Sequence, residues 1–398
     1  MTSRLKKYLA AIASAKEYVA QWSAEHVYAD QALIVPFPTL AIFNPERNHW
    51  AIQIKAWVYL PFQKKNIKGH LSSISSRFVR KTPVEDAIST DDNNEVDEVV
   101  LNLEEEIVES NENPGRLGYF FVGNSVKIAT KIIINAIEYL LPPSDESGFV
   151  EKQLECYDQE IQSFCSPVYS ESEDRKFDYE IKINESKSDI NCKLFKGSIY
   201  VLVPFGVSII SDIDDTIKIT KVFNKRSLLK HTFYSYFKPV DGMNELYQLW
   251  FSQNCQFHYV SGSPWQLYPA LRYFLEEYQY PMGTMNLRKF IWSWKFLKLP
   301  DTYKIEIITQ IINSYPTRKY ICVGDSGELD PEIYSKLFFI YPMNIAHIFI
   351  RDICLLDECL PTCRERYEKA FEGVPRERWT IFKDPKDVQT NIRELITI

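Results

Sequence analysis

Apolar and polar positions change their period twice along this chain. Leu5, Tyr8, Leu9, Ile12, Val19 and Trp22 recur at three- and four-residue steps, which predicts an amphipathic helix over residues 1–29. With Arg4, Lys6 and Lys7 at its first turns, it reads either as a helix packed on the body of the protein or as one lying on an anionic membrane. From residue 30 the period falls to two. Ile52, Ile54, Ala56, Val58 and Leu60 alternate with polar residues, and Pro36, Pro38, Pro45 and Pro61 punctuate the runs. Similar stretches follow at residues 119–122, 177–183 and 193–203, whereas Ile128–Leu141 reads as a helix. Residues 30–200 are therefore expected to form one β-rich domain, a sandwich or a barrel. Within it, residues 83–114 hold Glu85, Asp86, Asp91, Asp92, Glu95, Asp97, Glu98 and Glu104 to Glu106 without a lysine or arginine, which predicts a solvated acidic insertion.

Beyond residue 200 the pattern becomes strand, then helix. Val207–Ile210, Cys255–Val260, Lys319–Val323 and Ile345–Ile350 are short apolar runs of the kind that form buried parallel strands. Glu245–Phe251, Trp265–Tyr278, Ile305–Ser314 and Pro331–Leu337 read as helices between them. This alternation predicts an α/β domain over residues 201–398 with a doubly wound parallel sheet. Each polar cluster falls at the carboxyl end of a strand, where such sheets bind ligands.

Four of those clusters carry chemistry. Asp212 and Asp214 leave the first strand two residues apart, so alternation aims them to one side. Two carboxylates that close repel unless a cation offsets them, which makes the pair a place for Mg²⁺, an aspartyl nucleophile and a proton donor. Ser261 follows the second strand and precedes a helix whose free N–H groups suit a phosphate. Lys304 stands near the start of a later helix, and Gly324-Asp325-Ser326-Gly327-Glu328-Leu329-Asp330 follows another strand.

Composition narrows the picture without redirecting it. The 398 residues carry a net charge of −7, which gives no electrostatic argument for nucleic acid. The eight cysteines include no CxxC pair; Cys354, Cys359 and Cys363 cluster downstream of His347 but lack the paired spacing of structural zinc sites. Polar residues interrupt the N-terminal apolar positions, so no signal peptide is expected. No apolar run reaches the ~18–20 residues of a membrane span, and a cytoplasmic protein with at most peripheral membrane contact is expected.

Taken together, these motifs resemble the haloacid dehalogenase (HAD) superfamily of aspartate-nucleophile phosphatases. The stretches Ser211–Lys218, Tyr259–Trp265 and Gly324–Tyr334 are closer still to the actin-patch type of Mg²⁺-dependent phosphatidate phosphatase, and Arg366-Tyr367, Phe371–Gly373 and Phe382–Pro385 are similar too. The resemblance covers roughly residues 200–390. It implies an HAD-like fold, Asp212 as nucleophile, Asp214 as acid and base, and Lys304 as the cation that neutralises the phosphoryl group. It further implies phosphate binding by Ser261 and Gly262, and Mg²⁺ held by Asp212, the Asp214 carbonyl, Asp325 and Asp330. Actin-patch or endocytic proteins are the partners it implies.

The segments between the motifs are too short for a large cap, so the site is expected to stay open to a large or interfacial substrate. Trp292, Trp294, Lys295, Phe296 and Lys298 precede Lys304 and suit a bilayer interface, or else pack into the domain. The favoured reading is hydrolysis of phosphatidate to diacylglycerol at a phospholipid surface. A phosphatase of proteins or other phosphomonoesters, and a membrane-trafficking or actin-associated adaptor with little catalysis, are the alternatives.

Overall fold

A computed structural model of the chain describes residues 32–60, 119, 123–124, 127–165, 173–184, 193–220, 236–288, 301–353 and 361–397. The expected N-terminal helix and the acidic insertion at 83–114 lie outside the described residues. Contacts divide the chain into two units that interleave along the sequence. One comprises residues 1–36, 55–152 and 180–197, and the other residues 37–54, 153–179 and 198–398. The segments 37–54 and 153–179 thus group with the C-terminal part of the chain.

The first unit is built of antiparallel pairs. Leu33–Pro36 runs against the strand that ends at Leu60, with Leu33 opposite Tyr59. Ile128–Leu141, expected as a helix, is instead a hairpin of Thr130–Ile134 and Ile137–Leu140. The reason is local. Four of the five residues Thr130 to Ile134 are β-branched, and Asn135 and Ala136 take φ of 46° and 66°, the two-residue turn that matches strand twist. Trp57 stacks on Tyr59 at 4.4 Å in this unit's core.

The second unit holds a six-stranded sheet in which every neighbouring pair is parallel. Its strands are β1 (Val207–Ser211), β2 (Gln256–Pro264), β3 (Thr284–Arg288), β4 (Lys319–Asp325), β5 (Ile345–Arg351) and β6 (Trp379–Phe382). They lie in the order β3-β2-β1-β4-β5-β6. Helices α1 (Met243–Phe251), α2 (Tyr268–Glu277), α3 (Asp301–Ser314), α4 (Asp330–Ile340) and α5 (Pro361–Ala370) connect them.

Alternation along the strands splits the core between two faces. Ile210, Val260, Cys322, Ile348 and Ile350 pack with Ile308, Ile312, Leu337 and Phe371 of α3, α4 and the end of α5. On the other face Tyr247 and Trp250 of α1 meet Phe257 and Phe349. The amino edge of the sheet is fastened by Arg318, which is fully buried. Its guanidinium pairs bidentately with Asp174 at 2.9 Å and donates to the carbonyls of Val203, Phe205 and Val207. Its Nε donates to Ser208 Oγ at 3.0 Å, so every nitrogen of the buried charge is engaged, the condition for burying an arginine at all. His258, between Thr284 and Ser208, is a packed neutral imidazole whose pKa burial lowers to about 3.

Candidate functional site

The chain moves outward from β1 through β2 to β3, then returns to the opposite side of β1 at β4. Strand direction leaves a crevice at such a reversal, outside the carboxyl ends of β1 and β4. Asp212 follows β1 and Asp325 ends β4, and the Asp212 amide donates to the Val323 carbonyl at 2.9 Å. The register of the two strands therefore sets two carboxylates side by side.

Asp212, Asp325 and Asp330 are all buried, and one oxygen of each lies within 4.8 Å of the others. Lys304, on the second half-turn of α3, reaches into this group. Its Nζ lies 2.9 Å from Asp212 Oδ1, 2.6 Å from Asp330 Oδ1 and 2.9 Å from Glu328 Oε2. Three carboxylates thus share the Lys304 ammonium, and Asp325 stands beside them. Burial raises the Asp212 and Asp325 pKa values well above the carboxylate range, and the neighbouring acids add to this in both cases. Burial opposes the Lys304 charge, but Asp212, Asp330 and Glu328 outweigh it and hold the ammonium well above its ordinary range.

Asp212 Oδ1 has the Lys304 ammonium beside it, but one oxygen of Asp325 is left over. Asp325 Oδ1 accepts from the Gly327 and Glu328 amides at 2.5 and 3.2 Å, while Asp325 Oδ2 is buried without a hydrogen-bond partner among the described residues. An orphaned carboxylate oxygen beside an excess of negative charge is a position for a hard cation with oxygen ligands. The donor set fits: Asp212, Asp325 and Asp330 would hold such an ion.

Asp214 belongs to a second cluster, with its own lysine. Lys218 Nζ lies 2.6 Å from Asp214 Oδ1, which also accepts from Thr220 Oγ1 at 2.7 Å. Ser263 Oγ and Ser261 Oγ donate to Oδ2 at 2.7 and 3.2 Å. Burial alone would raise this carboxyl, but Lys218 and the hydroxyls lower its pKa to about 2. The repulsion expected of the Asp212–Asp214 pair is thus divided between two lysines. The turn between them is sharp. Asp215 takes φ of 51°, a conformation asparagine and aspartate tolerate best, and its carbonyl accepts from Arg351 Nη1 at 2.6 Å.

The acidic loop after β4 is braced from outside. Arg366 of α5 donates to the Ser326 and Glu328 carbonyls at 2.6 and 2.7 Å and pairs with both oxygens of Glu332. Gly324 allows the close approach within: a Cβ there would stand 2.3 Å from Asp330 Oδ2.

Of the residues singled out from sequence, Asp212, Lys304, Asp325 and Asp330 converge directly, and Asp214 joins Ser261 in the adjoining cluster. Ser261 lies inside β2, and a short 3₁₀ turn at Trp265–Leu267 separates that strand from α2, so the helix N-terminus does not follow Ser261 directly. Gly262 is half-buried on the same strand. Trp292, Trp294, Lys295, Phe296 and Lys298 lie outside the described residues. Glu328, Lys218, Thr220 and Ser263 carried no role in the sequence reading. Lys218 had a signal: it is a charge between Ile217 and Ile219, where a solvated lysine would be out of place.

Comparison with known proteins bears on this geometry. Residues 207–352 match the family described as phosphatidate phosphatase APP1, catalytic domain. An uncharacterised protein of Schizosaccharomyces pombe is 33% identical over 193 residues, 47% of this chain and 32% of that protein. Phosphatidate phosphatase APP1 of Saccharomyces cerevisiae is 33% identical over 158 residues, 37% of this chain and 26% of the yeast enzyme. The alignments thus span about a third or less of these relatives' length. Among solved structures, a Photobacterium 2,6-sialyltransferase shares 10% identity over 62% of this chain and 44% of its own, with a TM-score of 0.23 that carries no argument. The matched residues 207–352, which contain Asp212, Asp214, Ser261, Lys304, Asp325 and Asp330, are thus similar to the APP1 phosphatidate phosphatase catalytic domain.

Proposed function

We propose that this chain is a Mg²⁺-dependent phosphatidate phosphatase with an HAD-like catalytic domain, releasing diacylglycerol and phosphate at a membrane surface. The observation that carries the mechanism is the buried set of Asp212, Asp325 and Asp330, with Lys304 on Asp212 and Asp330 and with Asp325 Oδ2 lacking a hydrogen-bond partner among the described residues. The family match supports the substrate class.

Two displacements at phosphorus account for the residues present. A carboxylate oxygen of Asp212 attacks phosphorus, forming an aspartyl-phosphate as the bond to the alcohol oxygen breaks. Asp214, ionised beside Lys218 in the free site, takes a proton from the bound monoester monoanion and delivers it to that leaving oxygen. Water then attacks the aspartyl-phosphate, Asp214 accepts its proton, and Asp212 departs as carboxylate. Lys304 offsets the charge that keeps a carboxylate from an anionic phosphate. When bound, Mg²⁺ supplies the remaining positive charge to the phosphoryl oxygens.

Among the described residues no helix is long and apolar enough to cross a membrane. The deciding experiment assays the purified chain on phosphatidate in mixed micelles and on phosphopeptides, with Mg²⁺ or with EDTA. Turnover of phosphatidate that needs Mg²⁺ and disappears in Asp212→Asn is expected. Turnover of phosphopeptides alone would move the substrate class, and full activity in EDTA would reject the mechanism.

A further inference from the structure

Lys218 is an ammonium 2% exposed that is not among the contacts of Lys304's cluster. Its Nζ donates to Asp214 Oδ1 at 2.6 Å and to Thr220 Oγ1 at 2.7 Å, and it lies 4.5 Å from the centre of the Phe237 ring. Thr220 Oγ1 in turn donates to the same Asp214 oxygen at 2.7 Å. A lysine is buried at a cost that only close pairing offsets. Here the pairing is with a single carboxylate oxygen, reinforced by a hydroxyl and an aromatic face.

The backbone around it is fixed as well. Asp215 N donates to the Lys218 carbonyl at 2.7 Å and Lys218 N donates to the Ile213 carbonyl at 3.0 Å. Lys218–Ile219 then pairs antiparallel with Lys238–Pro239, forming a two-stranded ribbon beside the Asp214 turn. Thr220 N donates to Asp215 Oδ1 at 2.7 Å, closing the turn on itself. The two oxygens of Asp214 are therefore unequal. Oδ1 is held by the ribbon through Lys218 and Thr220. Among the described residues Oδ2 meets the hydroxyls of Ser261 and Ser263 at the carboxyl end of β2, and hydroxyls rotate to suit a new partner.

We infer that Lys218 is a positioning residue: with Thr220 it locks Asp214 Oδ1 to the ribbon, leaving Oδ2 as the oxygen that exchanges a proton with the leaving alcohol. This rests on the role given to Asp214 under the proposed function. Such a residue touches no reacting atom, so its loss is felt in the two proton transfers of Asp214, and alcohol release in the first turnover isolates the transfer to the leaving oxygen from the later activation of water. An aryl leaving group departs without needing a proton, whereas an alkyl alcohol depends on one.

The test uses the full chain with Mg²⁺ and two soluble monoesters, p-nitrophenyl phosphate and dioctanoyl phosphatidate below its micellar concentration. Lys218→Met, Thr220→Val and Asp214→Asn are compared with wild type by the single-turnover rate of alcohol or phenol release from each, which precedes the water step, with a melting curve for every variant. Lys218→Met is expected to lower that rate on the alkyl ester at least tenfold more than on the aryl ester, the same selective pattern as Asp214→Asn. Equal losses on both esters, or no loss on either, while Asp214→Asn stays selective, overturns the inference. A non-selective Asp214→Asn refutes the role of Asp214, and the inference falls with it. Should Lys218→Met fail to fold, the isosteric Thr220→Val decides: a selective loss supports the clamp and a non-selective one overturns it.

Discussion

Removing the Lys304 ammonium tests the charge balance of the site most directly. In Lys304→Met the stem is replaced at nearly equal volume, so packing changes little. What is lost is the cation within 2.6–2.9 Å of Asp330, Asp212 and Glu328. Breaking a buried pair by deleting one partner costs roughly 3–5 kcal/mol. At ~2–4 °C per kcal/mol for a unit of this size, the melting temperature in EDTA should fall by about 10 °C. Mg²⁺ should then act in opposite ways on stability and on turnover. A ligand at a hundred times its dissociation constant adds ~2.7 kcal/mol to the folded state. The variant site, more negative by one charge, should bind the ion more tightly than wild type and recover a larger part of its loss. Turnover should not recover, because nothing replaces the ammonium beside the phosphoryl oxygens. The assay is calorimetry of both proteins across a Mg²⁺ series, with phosphatase activity in parallel. A variant as stable as wild type in EDTA, or a stability gap that Mg²⁺ leaves unchanged, would refute the charge argument.

Three further outcomes follow from the same geometry. Gly324→Ala places a Cβ about a bond length inside contact distance of Asp330, so stability should fall by ~1–3 kcal/mol and Mg²⁺ should bind at least tenfold more weakly, as titration calorimetry would reveal. Asp214, lowered to about 2, contributes stability that is present above the unfolded carboxylate value and lost as pH falls through about 2. The stability difference between wild type and Asp214→Asn in urea should therefore shrink by ~2 kcal/mol between about pH 6 and about pH 2, and a pH-independent difference would contradict the Lys218 pairing. Arg366→Met releases the Ser326 and Glu328 carbonyls, so activity should drop about tenfold with a stability loss of roughly 1–3 kcal/mol; unchanged kinetics would mean that the loop holds itself.

What could be read from sequence follows from how strongly each feature is written in local pattern. Val207–Ser211 is an apolar run followed by Asp212 and Lys319–Asp325 is one ending in acid, so the strands and the carboxylates at their ends were both visible. The order of strands was not, because no local pattern states that β1 lies between β2 and β4. Ile128–Leu141 misled because its isoleucines satisfy both periods, and the left-handed Asn135 and Ala136 that decide for a hairpin carry no glycine to advertise the turn. Glu328 stood inside a quoted motif, yet only the fold shows that its carboxylate reaches Lys304 rather than solvent. Lys218 and Thr220 were hidden for a similar reason: their partner Asp214 is reached by a turn whose strained residue, Asp215, looks like any other acid in the run.

The last strand of the sheet carries a consequence for how the protein can be handled. β6 pairs with β5 from Ile348 opposite Trp379 to Arg351 opposite Phe382, and it begins well after residue 352, where the family match ends. A fragment cut at that point would keep Asp212, Lys304 and Asp325 but bare one side of Ile345–Arg351, whose first six residues are buried. An uncovered apolar edge strand recruits other chains through its free backbone groups. It would also lack Arg366, and with it the clasp on the acidic loop. Such a fragment should precipitate in expression trials or pair through β5, so its inactivity would report on aggregation rather than on the absence of a catalytic group.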